Sequence, residues 1–197
     1  MKPLLRPLVI ATALSLSFAT LLVACSKPEE PPAAMAAAKA QPFETVRTLG
    51  KGFTVGALMS TNTVYVLFDP QCPHCGHLWN ATLPLQNKVK FVWMPVSFLS
   101  AKSLPQGAAL LAAADPAQAM SAHEQLLLSG QGGMSASASV PQELEQAIKT
   151  NTQLLDSLGV DSVPFIVAKH AGTGRVVTSG GAMDTGALAD LLGVDRP

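Results

Sequence analysis

Two cysteines two residues apart, in Cys72-Pro73-His74-Cys75, are the side chains best suited to chemistry in this chain. A thiolate at one can attack a sulfur, and the other can resolve the resulting mixed disulfide, so that the pair cycles between dithiol and disulfide. Pro73 suits the first position of a helix and puts Cys72 at the N-cap. There, free backbone N–H groups and the helix dipole favour thiolate over thiol. Cys72 is therefore expected as the nucleophile and Cys75, one turn on, as the resolving thiol. His74 is expected to add a positive charge or a donor, favouring the reduced form and making the disulfide more oxidising. Asp69 is a candidate for proton transfer at Cys75; its other reading is a stabiliser of the turn with Pro70.

Competing uses of the pair are weaker. Cys72, Cys75 and His77 would supply three metal ligands, but no second C-x-x-C or spaced histidine pair follows. Haem attachment requires histidine where Gly76 stands. A structural disulfide across so small a loop contributes little stability. His123 and His170 are isolated and expected at the surface or in loops. Trp79, Trp93 and Phe165 read as core or site-rim residues, and the seven methionines are scattered. No metal or other cofactor is expected.

Several elements must position this pair. Thr63 to Phe68 (TVYVLF) is a β-branched and aromatic run that reads as a buried central strand leading straight into it. Pro73 to Asn87 carries Cys75, Leu78, Trp79 and Thr82 at helical spacing, with Pro84 kinking or ending the helix. Phe53-Thr54-Val55 and Val89 to Val96 are further strands, the latter weakened at Pro95. Ser103 to Ala114 is helical. Asp115-Pro116 opens a second helix running through Leu128, and Gly130 to Ser139 is a loop. Pro141 to Leu158 is a third helix, with Gly159 suited to its C-terminal cap. Phe165-Ile166-Val167 and Arg175-Val176-Val177 form a hairpin across His170 to Gly174. Thr185 to Leu192 closes the chain as a helix capped by Asp184. This is an α/β order.

The first 24 residues stand apart. Lys2 and Arg6 precede an almost wholly apolar run from Leu8 to Val23, which reads as an export signal. It ends in Leu22-Val23-Ala24-Cys25, which resembles the lipobox of bacterial lipoproteins and implies a lipid on Cys25 as the mature N-terminus. Residues 25–42 then form a Pro/Ala-rich tether, and 43–197 the folded domain. The chain has 13 basic and 13 acidic residues among 197 and is 48% hydrophobic. That composition excludes a disordered chain and an electrostatic binder of nucleic acid. Losing Lys2 and Arg6 leaves 11 basic residues against the 13 acidic ones, so no strongly charged partner is indicated.

The segment Val66 to Cys75 (VLFDPQCPHC) resembles the active-site strand and loop of the DsbC/DsbG thiol:disulfide proteins of the bacterial periplasm. Leu104 to Ala119, Asn151 to Gly159 and Val163-Pro164 resemble that family too, most of all the DsbG catalytic domain. The resemblance runs from about Phe53 to Leu192. It implies a thioredoxin fold with a helical insertion, about 101–160, between the active-site half and a hairpin opened by a cis-proline, Pro164. It further implies that Val163 offers backbone hydrogen bonds to an extended substrate peptide. The implied activity is disulfide exchange on the thiols and disulfides of exported proteins, with a membrane redox partner of DsbD or DsbB type. Two departures are visible. Only about twenty residues, 43–62, precede the central strand, too few for the family's N-terminal dimerisation domain, so a monomer is expected. The Cys-Pro-His-Cys and Val-Pro sequences look more like DsbA, the periplasmic oxidase, which leaves the direction of electron flow open. The alternatives are a metal-delivery or thiol-binding module that uses the cysteines as ligands, and a peptide-binding chaperone that uses the Val163-Pro164 groove.

Overall fold

A computed structural model describes residues 32–197. The segment expected as an export signal, Cys25 and the first part of the expected tether lie outside the described residues. The central run forms β2, Thr63–Phe68, with the bounds its composition indicates. Its first half alternates between half-buried and buried positions. Its last three residues, Val66, Leu67 and Phe68, are all buried. A strand buried on both faces needs cover on both sides, and the helices supply it.

β2 pairs in parallel with β3, Lys90–Pro95, and antiparallel with β4, Phe165–Lys169. β1, Phe53–Gly56, adds antiparallel to the far side of β3, and β5, Val176–Gly180, antiparallel to β4. The sheet order is therefore β1-β3-β2-β4-β5. Pro95 closes β3 opposite Phe68, at the strand end, where its missing N–H costs least.

Helix α1 spans Pro32–Ala40 and α2 spans Pro42–Leu49. The alanine-rich stretch Ala33 to Ala40 allows a brief helix, whereas α2 is not expected from the sequence. Residues 32–40, expected as tether, instead pack against α6, Gln142–Ser157, with Ala38 buried. α2 buries Phe43 and Val46, a spacing of three that gives its eight residues one apolar face. Helix α3 runs from Pro73 to Thr82, and a 3₁₀ turn at Leu83–Leu85 holds Pro84, so the helix ends where proline demands. Between β3 and β4 lie α4, Ser103–Leu111, α5, Pro116–Leu128, and α6. Asp115 caps α5 by accepting from the Gln118 N–H at 3.0 Å. α7, Thr185–Leu192, is capped in the same way by Asp184.

α3 packs against α5 and α7. Trp79 from α3 meets Trp93 of β3 edge-on at 5.3 Å, and Trp93 meets Phe68 of β2 at 5.4 Å. Such edge-to-face pairs fix ring orientation beyond simple burial. This aromatic stack seats the active-site helix against the sheet.

Candidate active site

β2 ends at Phe68, and the next four residues carry the chain to Cys72, the N-cap of α3. Pro73 takes the first helical position, as its fixed φ favours. Both cysteines are buried, unbridged thiols. The Cys75 N–H donates to the Cys72 carbonyl at 2.9 Å. The Val163–Pro164 bond is cis, and the Cys72 thiol points at the Val163 carbonyl at 3.5 Å. The structure thus brings together Cys72, Pro73, His74, Cys75, Val163 and Pro164.

The two sulfurs differ sharply in acidity. Cys72 is pulled down from 9.0 to about 6, chiefly because the Cys75 thiol donates to its thiolate. Burial opposes this, while the backbone N–H groups of Cys75 and His74 assist it and the His74 charge adds a smaller part. Cys75 moves the other way. Burial pushes it well above the usual thiol range, and the neighbouring Cys72 reinforces the effect. His74 therefore tunes Cys72 less than the sequence suggests. Its ring is exposed and lies 6.4 Å from that of His77, also exposed.

Of the two readings of Asp69, its hydrogen bonds match the stabiliser of the turn. It is fully buried, and its carboxylate is spent on the turns around it. Oδ1 accepts from the Gln71 N–H at 2.9 Å and the Ser103 hydroxyl at 2.6 Å. Oδ2 accepts from the Phe98 and Leu99 N–H groups at 3.0 and 3.1 Å. With four donors satisfied, this carboxylate is a turn anchor rather than a proton carrier.

The free buried carboxyl is Glu124, which the sequence reading missed. It sits on α5, is 1% exposed, and neither oxygen has a hydrogen-bond partner. A Cβ at Gly76 would lie 2.5 Å from its Oε2, so glycine directly after Cys75 is what lets α5 approach α3 here. Burial, and then the Cys72 charge, raise Glu124 from 4.5 to about 8. Its own charge in turn contributes to raising Cys75. One signal was available: Glu124 is the single charged residue in α5, an otherwise uncharged helix.

Its neighbour His123 is also corrected, being completely buried rather than at the surface. Nε2 donates to the Pro70 carbonyl at 2.7 Å, while Nδ1 accepts from the Met134 N–H at 3.1 Å. Those partners assign the neutral Nε2–H tautomer. Burial lowers the His123 pKa accordingly. Gln71 and Gln106 both donate to the Gly132 carbonyl at 2.9 Å, so the 132–134 segment is strapped to the active-site turn.

A groove of about 620 Å³ opens beside α3, lined by His77, Asn80, Ala81 and residues 182–185. It adjoins the Pro164 turn, whose carbonyl accepts from the Gly181 N–H at 2.8 Å. Among the described residues, no group of three or more His, Cys, Asp or Glu side chains is placed to hold a metal ion. No described helix is long and apolar enough to cross a membrane.

No protein-family model matches the chain. It is 30% identical over 141 residues to the thiol:disulfide interchange protein DsbG of Pseudomonas aeruginosa, covering 70% of this chain and 54% of that protein. The chain is DsbG-like. It spans about half the length of the curated relatives it matches. The fold of this DsbG-like chain is also found in the catalytic domain of Proteus mirabilis ScsC, with a TM-score of 0.60 at 17% identity over 80% of this chain and 96% of that one. A periplasmic thioredoxin-like protein from Salmonella enterica serovar Typhimurium matches with a TM-score of 0.57 at 17% identity, over 72% and 87%. The fold of the DsbG-like chain is thus the thioredoxin fold, with α4–α6 carried between β3 and β4.

Proposed function

We propose that this protein is a thiol:disulfide oxidoreductase acting by dithiol/disulfide exchange on exported proteins in the periplasm. The observation that carries the reading is the acidity split within one buried pair: Cys72 at about 6, Cys75 well above the usual thiol range. At neutral pH the first sulfur is a nucleophile and the second holds its proton.

In the reducing direction, the Cys72 thiolate attacks one sulfur of a partner disulfide. A Cys72–partner bond forms, the partner's S–S bond breaks, and its other sulfur leaves as thiolate. The bond removes the negative charge from Cys72, and with it one of the causes that hold Glu124 protonated. Glu124 thereby ionises more readily at the stage when Cys75 must give up its proton. Glu124 accepts that proton, Cys75 attacks Cys72 Sγ, and the partner's second thiolate is released. Two electrons have passed from the pair to the partner, leaving a Cys72–Cys75 disulfide. The reverse sequence donates a disulfide, with Glu124 returning the proton.

The partner's chain is held beside Cys72 by the Val163 backbone, and the groove along α3 takes the residues flanking its cysteine. A lipid on Cys25 would hold the domain at a membrane surface, within reach of a redox partner of DsbD or DsbB type, and the domain acts as a monomer. The test is insulin reduction combined with trapping of mixed disulfides. Wild type is expected to reduce insulin, Cys72→Ser to lose that activity entirely, and Cys75→Ala to accumulate a covalent Cys72–partner adduct. No insulin reduction by wild type, with wild type and Cys72→Ser suppressing aggregation of an unfolded client equally, would overturn the reading in favour of a peptide-binding chaperone.

A further inference from the structure

The two residues between Asp69 and the reactive cysteine are each gripped by a side chain from the excursion between β3 and β4. Pro70 is held through its carbonyl, which accepts from Nε2 of His123 on α5 at 2.7 Å. Gln71 is held through its side chain, whose amide donates to Oε1 of Gln106 on α4 at 2.6 Å. The two grips meet at Met134. Its N–H donates to His123 Nδ1 at 3.1 Å, and its carbonyl accepts from Gln106 Nε2 at 2.8 Å. The peptide bond between Pro70 and Gln71 closes these four hydrogen bonds into a ring. His123 is completely buried and Gln106 is 3% exposed, so water does not compete for the bonds. Both imidazole nitrogens and the whole Gln106 amide are used, the second Nε2 hydrogen going to the Gly132 carbonyl. The loop is shaped to fit. Gly133 sits at φ +80°, and a Cβ there would run into the His123 ring and lie 3.1 Å from Gln106 Nε2.

We infer that His123 and Gln106 are positioning residues for the reactive cysteine: through the ring they hold residues 70 and 71 so that the Cys72 sulfur stays against the Cys75 thiol and the backbone N–H groups of His74 and Cys75. Residues 70 and 71 lead directly into Cys72, whose own N–H is bonded back to the Asp69 carbonyl at 2.9 Å. A rigid lead-in fixes the N-cap, and a sulfur there gains most as a thiolate when it is aligned with the first free N–H groups of the helix. Those donors are the ones that keep Cys72 ionised. Opening either grip lets the turn, and the sulfur with it, move away from them. The inference deepens the exchange reading above, on which its meaning for catalysis rests, but its first readout needs no substrate.

The test is titration of thiolate absorbance in the reduced full chain from pH 4 to pH 9, for His123→Leu, Gln106→Leu and the double variant. Each single variant is expected to move the Cys72 transition upward by about one unit, a tenfold loss of thiolate at pH 5. The double variant moves it no further, because a ring opened once is open. His123→Gln, whose amide keeps a donor and an acceptor, retains the wild-type transition. So does Val55→Ala, a core truncation on the edge strand β1. The other titratable groups facing this sulfur, Cys75, His74 and Glu124, are present in every variant. Exchange with oxidised glutathione follows the titration. Each single variant falls about threefold at pH 5, its tenfold smaller thiolate fraction being offset by greater nucleophilicity, and regains at least the wild-type rate at pH 9. A transition that moves in His123→Leu but not in Gln106→Leu assigns the effect to displacement of the adjacent Glu124 and overturns the ring. Transitions unchanged in both, shifts that add in the double variant, or a rate loss equal at pH 5 and pH 9 overturn it as well. Where a leucine variant does not fold, Gly133→Ala, which drives the loop off His123, carries the same expectation, and an unchanged transition there overturns the ring. Wild type that ionises as described yet leaves oxidised glutathione intact takes down the exchange reading and leaves the ring standing.

Discussion

Glu124→Gln isolates the buried carboxyl next to the cysteine pair. In the folded protein Glu124 holds its proton to about 8 rather than 4.5. Between those values the folded state binds more protons than the unfolded one, so stability falls as pH rises and the penalty is complete above pH 8. A pKa difference of 3.5, at about 1.4 kcal/mol per unit, amounts to roughly 5 kcal/mol, of which roughly 4 kcal/mol develops between pH 5 and pH 9. Glutamine has the shape of the protonated acid and cannot ionise. Its own buried amide contributes equally at every pH and cancels from the comparison. The assay is urea denaturation of the fully reduced protein, wild type and variant, at pH 5, 7 and 9. The Cys72 thiolate, whose lowered pKa adds stability as pH rises from about 6 toward 9, is present in both proteins and cancels to first order. The variant is expected to gain on wild type steadily with pH, by about 4 kcal/mol over the range. A stability difference that stays within about 1 kcal/mol from pH 5 to pH 9 would refute the raised pKa of Glu124 and its role as proton carrier.

Gly76→Ala places a methyl 2.5 Å from Glu124 Oε2 and 3.1 Å from the Leu128 side chain. It is expected to cost about 1–3 kcal/mol in chemical denaturation through overpacking, and to slow release of the mixed disulfide. Titration of thiolate absorbance in the reduced protein should show one cysteine ionising at about pH 6. His74→Tyr should move that transition upward only slightly, because the Cys75 thiol and the backbone N–H groups outweigh the imidazole. A large upward displacement in His74→Tyr contradicts that ranking.

What the sequence made legible is what local chemistry decides. β2, the Asp115 and Asp184 caps, the proline opening α3 and the proline ending it are encoded within a few residues of where they act. The cysteine pair was legible for the same reason, as strand, turn and helix are contiguous. Three side chains were less legible, for the opposite cause. Asp69 looks available from its place beside Pro70, because the N–H groups that occupy it come from residues 98 and 99, across β3. Glu124 looks like a solvated helix residue until α5 crosses α3 at Gly76. His123 was misplaced in the same way, since Pro70 and Met134 reach it only in the folded chain. α2 escaped notice and α1 showed only as an alanine-rich stretch, because eight and nine residues carry too few turns to declare a period.

The straps between α4–α5 and the active-site turn bear on transplantation. Residues 69–75 look like a portable cassette, short and contiguous. Moved alone into another scaffold, they would carry a buried carboxylate stripped of its Ser103, Phe98 and Leu99 donors and a Pro70 carbonyl stripped of its imidazole. Each orphaned group costs about 1–3 kcal/mol in a dry setting. The smallest graft that keeps the site's polar groups satisfied therefore extends from β2 through Met134, and a designer who trims the α4–α5 excursion to a short loop dismantles the nucleophile's own footing.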